Sequence, residues 1–194
     1  MPADTAAAVT TLALKEWGAV VHALLDGRQT VLLRKGGIHE KAFHLDPAGR
    51  FGLFPTVAHS HAERVRSEHR DLLARGAADV DDDAQTFVVR AGITVVRAVD
   101  VHRPDGLAAI EDLHIWTAES IRADRLDFRP RHPLQAIVVR AVALPEPVVL
   151  PRIDAYGGCR SWVDLPLAWD GQGESAVDDE QLARAAQRVA DAVG

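Results

Sequence analysis

The sequence lacks the features that mark secreted, membrane-spanning and cysteine-clustered proteins. It has a single cysteine, Cys159, so an intramolecular disulfide and a cysteine-based zinc site are both excluded. No apolar run approaches the roughly 18 residues that a membrane-spanning helix requires. Residues 1–11 have neither the positive start nor the apolar stretch of a signal peptide. These absences predict a cytoplasmic protein that does not enter a membrane.

Positive charge is scarce, and lysine is its scarcest source. The chain has 22 lysines and arginines against 28 acids, and its net charge of −6 argues against a generally basic nucleic-acid-binding protein. Only three of the 22 are lysines. Arginine suits bidentate contacts with phosphates and bases, although GC-rich coding produces the same bias. Six acids and two arginines follow residue 169, so most of the net negative charge lies in the C-terminal tail.

Signatures that would identify a reaction are also absent. The chain has no Walker-type phosphate loop, no Gly-x-Gly-x-x-Gly fingerprint, no Gly-x-Ser-x-Gly elbow and no His-Glu-x-x-His motif. A metal-dependent nuclease needs carboxylates and a lysine on adjacent strands. None of the three lysines stands in the acid-x-lysine spacing that such sites favour. No motif therefore fixes a reaction.

The order of helical and strand patterns indicates an α+β fold with a small mixed or barrel-like β-sheet and flanking helices. The predicted helices are Leu12–Leu25, Ser60–Ala74, Leu107–Leu113, Ala118–Arg125 and Asp178–Val193, and the predicted strands are Thr30–Leu33, Lys41–Leu45, Phe51–Phe54, Gln85–Val101, Gln135–Leu144 and Ser161–Leu165. Residues 12–169 form one predicted domain. Residues 170–194 are predicted to form an acidic linker and a C-terminal amphipathic helix.

An Arg-Lys-Gly-Gly segment follows the first of these strands. Arg34 and Lys35 stand where the strand ends, and Gly36 and Gly37 allow a sharp turn or a close approach of the backbone to a ligand. Two cations beside free backbone N–H groups would bind a phosphate or another anion. The alternative is a tight β-turn with solvated cations.

Histidines supply the candidate bases and metal ligands. His59 and His61 form a His-x-His pair that could hold a divalent metal or supply a base, with Glu40 and His114 as further ligands by residue type. The alternative is that these histidines cap and pack the start of a helix. No cofactor other than such a metal is expected.

Two aromatic segments complete the candidate site. Trp116 could stack on a base, or it could be a core residue beside a hydrogen-bonded histidine. In the Gly-Cys-Arg-Ser-Trp segment, Arg160 could bind an anion, Ser161 could hydrogen-bond it and Trp162 could stack on a planar ligand. No cysteine-enzyme signature surrounds Cys159, which favours a packing role for that thiol.

Five blocks of sequence together resemble the bacterial and archaeal domain-of-unknown-function family 1802. The blocks are Leu14–Trp17, Leu33–Ile38, Leu53–Thr56 with His59, His114–Trp116 and Gly158–Trp162. The resemblance covers Leu12 to Leu165 and implies no established activity. The opening of the chain, where a helix ending in glycine precedes Thr-Val-Leu-Leu-Arg-Lys, is also similar to PUA-like and ASCH domains. That resemblance implies a small β-barrel of a kind that often binds RNA or modified bases.

Three hypotheses about function follow. The first is a PUA-like module that binds RNA, single-stranded DNA or a nucleotide, with Arg34, Lys35 and Arg160 on phosphate and Trp116 or Trp162 on a base. The second is a metal-dependent hydrolase or nuclease that acts on a phosphate-bearing substrate. The third is a non-catalytic protein whose C-terminal helix binds a partner. The sequence does not predict an oligomeric state.

Overall fold

A six-stranded mixed β-sheet forms the centre of the fold in a computed structural model that describes residues 10–35, 49–57, 62–80, 83, 85–158 and 160–194. The strands are β1 (Thr11–Trp17), β2 (Val31–Lys35), β3 (Arg50–Thr56), β4 (Thr86–Asp100), β5 (Leu134–Pro151) and β6 (Trp162–Leu165), in the order β2-β5-β4-β3-β1-β6. The strands β1 and β3 pair in parallel, and the other neighbours are antiparallel. The predicted α+β class with a mixed sheet is thus confirmed.

Helices and tight turns flank this sheet. Among the described residues, the α-helices are α1 (Gly18–Leu25), α2 (Asp71–Ala77), α3 (Ala118–Ile121) and α4 (Asp179–Val193). A π-helical turn, Arg122–Leu126, continues α3, and a 3-10 segment spans Pro104–Leu113. The predicted strand Lys41–Leu45 lies outside the described residues.

The prediction of one helix over Leu12–Leu25 is wrong in its first half. Residues Thr11–Trp17 form β1, and only Gly18–Leu25 is helical. The side chains of Leu14 and Trp17 fit a helical period, but β1 lies between β3 and β6 and bonds to both. Two ladders of backbone hydrogen bonds therefore override a local pattern that favours a helix.

The predicted helix Ser60–Ala74 is also wrong over most of its described length. The described part contains two short 3-10 turns, Ala62–Arg64 and Ser67–His69, before α2 begins at Asp71. Between the turns, Val65 forms a β-bridge with Trp116. These backbone bonds to a distant segment take the place of helical ones, so a continuous helix cannot form.

The sheet is strongly curved, and this curvature positions the candidate site. The edge strand β2 is separated from β1 by three strands in the sheet order. Nevertheless the Nη1 atom of Arg34 on β2 lies 3.2 Å from Oε2 of Glu16 on β1. A flat sheet would hold these strands about 19 Å apart. The curvature therefore brings the C-terminal ends of β1 and β2 together.

The C-terminal helix α4 packs on the same core as the sheet. Asp178 caps its first turn in a reciprocal capping box with Gln181. Its apolar face is buried, with Leu182 and Val189 almost inaccessible. At Gly106 in the 3-10 segment, a Cβ atom would lie only 2.0 Å from the carbonyl oxygen of Ala192, so the two elements touch backbone to backbone.

Candidate functional site

Four segments far apart in the sequence meet at the C-terminal end of β1. Trp17 is the last residue of β1, and its ring meets the ring of Trp116 edge to face at 4.9 Å. At the end of the parallel strand β3, the hydroxyl of Thr56 donates a hydrogen bond of 3.1 Å to the carbonyl of Glu16. Arg34 arrives from β2. Each of the four segments belongs to a different block of the family resemblance, so these blocks describe one place in the fold.

A buried carboxylate organises this place. Glu16 is only 6% exposed, and its Oε1 accepts a hydrogen bond of 2.9 Å from the backbone N–H of Trp17. Its Oε2 accepts one of 3.2 Å from Arg34, which also donates to the carbonyl of Lys15 at 3.3 Å. A buried charge is tolerated when it is paired and hydrogen-bonded. The pair therefore fixes the Arg34 guanidinium at the end of β1.

A second arginine, Arg125 of the π-helical turn, completes the group. Its Nε donates to the carbonyl of Leu33 at 3.0 Å, and its guanidinium carbon lies 5.2 Å from the centre of the Trp116 ring. Burial lowers the pKa of Arg125, the charge of Glu16 raises it, and the charge of Arg34 lowers it again. We call Glu16, Trp17, Arg34, Trp116 and Arg125 the arginine–tryptophan cluster.

The donors of Arg125 are not all used. Among the described residues, no carboxylate pairs with this guanidinium and its two terminal amino groups meet no acceptor. Arg125 is half-buried, and its amino groups are not sealed from solvent. The cluster therefore offers an anion an accessible, fork-shaped donor, the geometry in which arginine binds phosphate or carboxylate bidentately.

Lys35 has a positioning contact in this arrangement. Its Nζ donates to the carbonyl oxygens of Arg125, at 2.6 Å, and of Leu126, at 3.3 Å. Carbonyl oxygens at the end of a helical turn are otherwise unsatisfied and suit a cation. Lys35 thus holds the π-helical turn against β2. Its neighbours in the sequence motif, Gly36 and Gly37, lie outside the described residues.

The fifth block approaches the same end of β1 from the other edge of the sheet. The carbonyl of Ser161 accepts a hydrogen bond of 2.8 Å from the backbone N–H of Lys15. Arg160, the residue before it, is exposed and forms no ion pair with another described residue. The Trp162 ring packs edge-on against Phe51, 4.8 Å between centres, and is half-buried. Cys159 lies outside the described residues.

The residues predicted as bases or metal ligands lie either outside the described residues or in the protein interior. Glu40, His59 and His61 lie outside the described residues, and the described His114 is 1% exposed. Its Nδ1 accepts a hydrogen bond of 3.3 Å from the N–H of Trp116, so its proton is on Nε2, which meets no acceptor among the described residues. Burial, and then the charge of Arg66, lower the pKa of His114 to about 4.

The lowered pKa makes stability depend on pH through His114. Unfolded histidine binds a proton near pH 6.5, whereas folded His114 binds it only near pH 4, so the folded state loses stability as the pH falls through that interval. We expect a loss of roughly 2 kcal/mol across it after structural relaxation. In the variant His114→Asn, the side-chain oxygen replaces Nδ1 as acceptor and does not titrate. Urea unfolding at about pH 7 and pH 5 should show a smaller pH-dependent loss in this variant; equal losses would refute the prediction.

Two further features of the described residues concern metal ions and membranes. No three histidine, cysteine, aspartate or glutamate side chains in this part of the chain lie close enough together to share a metal ion. Within the same part, none of the helices has the length and apolar composition needed to cross a membrane.

Sequence reasoning missed the two residues that define the cluster. Glu16 was visible only as part of the Leu-Lys-Glu-Trp block, and nothing in its spacing marks it as buried. Arg125 belongs to no block, and its only signal is the density of arginines in residues 122–131. Both become recognisable only when the curled sheet brings β1, β2 and the π-helical turn together.

Comparison with models of protein families agrees with the block pattern. A search of curated proteins finds no match. Among solved structures, the chain is similar to the crystal structure of a mutant ZmASCH protein from Zymomonas mobilis, with 12% identity, a TM-score of 0.42, and coverage of 71% of this chain and 72% of that one. The family model described as a domain of unknown function (DUF1802) matches residues 13–188, and so reaches into α4. The chain therefore belongs to the DUF1802 family.

Proposed function

We propose that this protein binds nucleic acid or a nucleotide through the arginine–tryptophan cluster. The observation that carries the proposal is the guanidinium of Arg125, which is half-buried, has no carboxylate partner among the described residues, lies over Trp116 and is close enough to Arg34 to feel its charge. The fork of arginine donors matches the geometry of phosphate, and phosphate oxygens receive most of the hydrogen bonds between proteins and DNA. A ligand that carries both a phosphate and a planar ring matches both halves of the cluster.

The two tryptophans have different roles in this proposal. Trp116 is 5% exposed, with Arg125 over its face and the edge of Trp17 against it. It supports the other groups and has little surface left for a base. Trp17 is half-buried, so a base that reaches the cluster would contact Trp17 or the guanidinium of Arg125.

Charge further limits how such a ligand is bound. The whole chain carries −6, so attraction to a polyanion must be local. Within the cluster, Glu16 offsets Arg34 and leaves Arg125 as net positive charge. The pairing of β6 with β1 places Arg160 beside the same end of β1. We therefore expect contacts with about two or three phosphates and a correspondingly shallow dependence of affinity on salt.

The other two hypotheses gain no comparable observation. The residues proposed as metal ligands, apart from His114, lie outside the described part of the chain. The amphipathic helix that was proposed to bind a partner directs its apolar residues, such as Leu182 and Val189, into this chain's own core. Both hypotheses remain predictions from the sequence.

The test is a binding measurement with Arg125→Lys, which keeps the charge and loses the fork. Fluorescently labelled single-stranded RNA and DNA of about twelve nucleotides, and a labelled nucleoside monophosphate, are titrated at about 50 mM and about 200 mM salt. We expect affinity to fall about tenfold in Arg125→Lys, because one of two hydrogen bonds to a charged phosphate is lost and such a bond is worth roughly 1.5–3 kcal/mol. The double variant Arg34→Ala with Arg160→Ala should bind more weakly still.

The control is Arg152→Ala. Arg152 is exposed, follows the far end of β5 and pairs with no acid among the described residues, so its removal takes away a full positive charge far from the cluster, whereas Arg125→Lys takes away none. Its affinity should stay within about twofold of the unchanged protein, since long-range charge effects are screened. Absence of binding to all three probes at the lower salt concentration would overturn the proposal, as would an equal loss in Arg152→Ala and Arg125→Lys.

A further inference from the structure

We infer that residues 122–132, here called the arginine loop, extend the cluster into a surface for single-stranded nucleic acid, with Phe128 as its stacking platform. The inference rests on the proposed function and selects a polynucleotide rather than a free nucleotide as the ligand. It uses residues that no sequence block contains. Three observations support it: the charge of the loop, its exposed aromatic ring and its attachment to the cluster.

The charge of the arginine loop is opposite to that of the whole chain. Its eleven residues contain four arginines and two aspartates, whereas the protein as a whole is acidic. Arg129, Arg131 and His132 are exposed, and none of them forms an ion pair with another described residue. Unpaired arginines that are close together on an acidic protein form a local attractive field for a polyanion.

An aromatic ring is exposed in the middle of these arginines. Phe128 is 54% exposed, far more than the other described phenylalanines, which are buried. The guanidinium of Arg129 lies over the ring, 5.1 Å from its centre. An exposed aromatic ring beside a cation is an arrangement on which nucleic-acid bases stack.

The loop backbone supports this presentation. Arg129 has a φ of 48°, the only positive φ of a non-glycine residue in the described chain. A left-handed conformation is unfavourable for an arginine and persists only where the surroundings hold it. The backbone N–H of His132 donates to the carbonyl of Arg129 at 2.9 Å, which closes a turn at this residue. Phe128 is thus held at the exposed end of the loop.

The base of the loop is fixed directly to the cluster. Arg125 belongs to both, since its guanidinium lies over Trp116 while its carbonyl accepts the Lys35 ammonium. Asp124 pairs with Arg64 at 3.2 Å. These bonds hold the π-helical turn, while the residues from Phe128 onward remain exposed. We therefore expect a strand that places one phosphate on Arg125 to continue along the loop toward Phe128, where the exposed Arg129 and Arg131 supply further positive charge.

The exposed ring favours a single-stranded nucleic acid over a protein partner, a membrane or a duplex. A lone phenylalanine is too small an apolar patch for a stable protein interface or for membrane insertion. Stacking requires an unpaired base, because the bases of a duplex are already stacked on each other. We therefore expect affinity to increase with strand length up to the distance between Arg125 and Phe128, and a duplex to bind more weakly.

The experiment compares Phe128→Ala with the unchanged protein on two probes, the twelve-nucleotide single strand and the nucleoside monophosphate. We expect about tenfold weaker binding of the single strand, because one stacked base contributes roughly 1–3 kcal/mol. Binding of the monophosphate, which reaches only the cluster, should be unchanged. Phe128→Trp should restore the affinity for the single strand. The control is Val149→Ala on β5, whose side chain is 64% exposed and should have no effect.

The outcomes separate this inference from the function on which it rests. If Arg125→Lys weakens both probes while Phe128→Ala weakens neither, the cluster binds the ligand and the inference about the loop is wrong. If Phe128→Ala weakens only the single strand, the inference is supported. Equal affinity for duplex and single strand, or stronger binding to anionic lipid vesicles than to the strand, would overturn it, because neither partner offers an unstacked base.

Discussion

Replacement of Asp79 by alanine should lower the free energy of unfolding by about 3 kcal/mol, because it leaves a buried histidine and a partly buried arginine without their acceptor. Asp79 is 1% exposed and joins three elements. Its Oδ2 accepts a hydrogen bond of 2.8 Å from Nε2 of His22 on α1, and its Oδ1 accepts one from Nε of Arg90 on β4. Alanine would remove both bonds and would leave a cavity in the core.

This effect is large because removal of one member of a buried polar network costs more than the network adds. The His22 side chain is about 10% exposed, so water cannot replace the lost carboxylate there, whereas the Arg90 side chain is about a third exposed and can be partly rehydrated. Urea unfolding at neutral pH measures the difference. The control Asp83→Ala removes an exposed carboxylate a few residues later and should change stability by less than about 0.5 kcal/mol. Equal effects of the two substitutions would contradict the prediction.

The variant Gly76→Ala should also destabilise the protein by about 3 kcal/mol, against the direction that helix propensity predicts. Gly76 lies within α2, where alanine in place of glycine normally stabilises by about 1 kcal/mol. Here a Cβ atom would lie 2.3 Å from the backbone nitrogen of Ala19 and 2.4 Å from the carbonyl carbon of Gly18. Both are backbone atoms of α1, so no side-chain rotation can relieve the overlap, and the helices must separate.

The sign of the change decides this prediction. A control in the same helix, Ala74→Ser, alters an exposed position and should cost only the propensity difference of about 0.5 kcal/mol. A stability of Gly76→Ala equal to or above that of the unchanged protein would show that α1 and α2 adjust freely. Since Gly18 directly follows Trp17, we also expect separated helices to disturb the end of β1 and to weaken binding of the labelled nucleotide.

These two contacts are the structural support of the candidate site. Asp79 and Gly76 both hold α1 against its neighbours, and α1 begins at the residue after Trp17. The position of Trp17 sets the direction of the backbone N–H that donates a hydrogen bond to Glu16, and Glu16 in turn holds Arg34. Variants of Asp79 or Gly76 that still fold should therefore lose affinity, although neither residue belongs to the arginine–tryptophan cluster.

Part of this fold could be predicted from the sequence because its signals are local. The long strands β4 and β5 are rich in β-branched residues, and α4 has both a capping box and a helical apolar face. The membership of the DUF1802 family was evident from five blocks in order. Each strand, helix or block is read from a short stretch of neighbouring residues, and the order of the blocks is read directly along the chain, so these signals survive without knowledge of the fold.

The segment from Thr11 to Trp17 shows where local signals fail. Its leucine and tryptophan spacing suits a helix as well as a strand, and the choice depends on β3 and β6, whose residues lie about 40 and 150 positions away. Backbone hydrogen bonding across that separation outweighs a difference in propensity of a few tenths of a kilocalorie per residue.

The sequence by itself determined the family, the α+β class and the residue types from which a phosphate-binding site could be built. Only the tertiary structure decided which of them meet. It placed the Lys35 ammonium on helical carbonyl oxygens and packed the half-buried Trp162 against Phe51. It also brought Glu16 and Arg125, which no motif marked, into the candidate site. The reason is the curvature of the sheet, which sets the distance between β1 and β2 and arises from the pairing and packing of all the strands together.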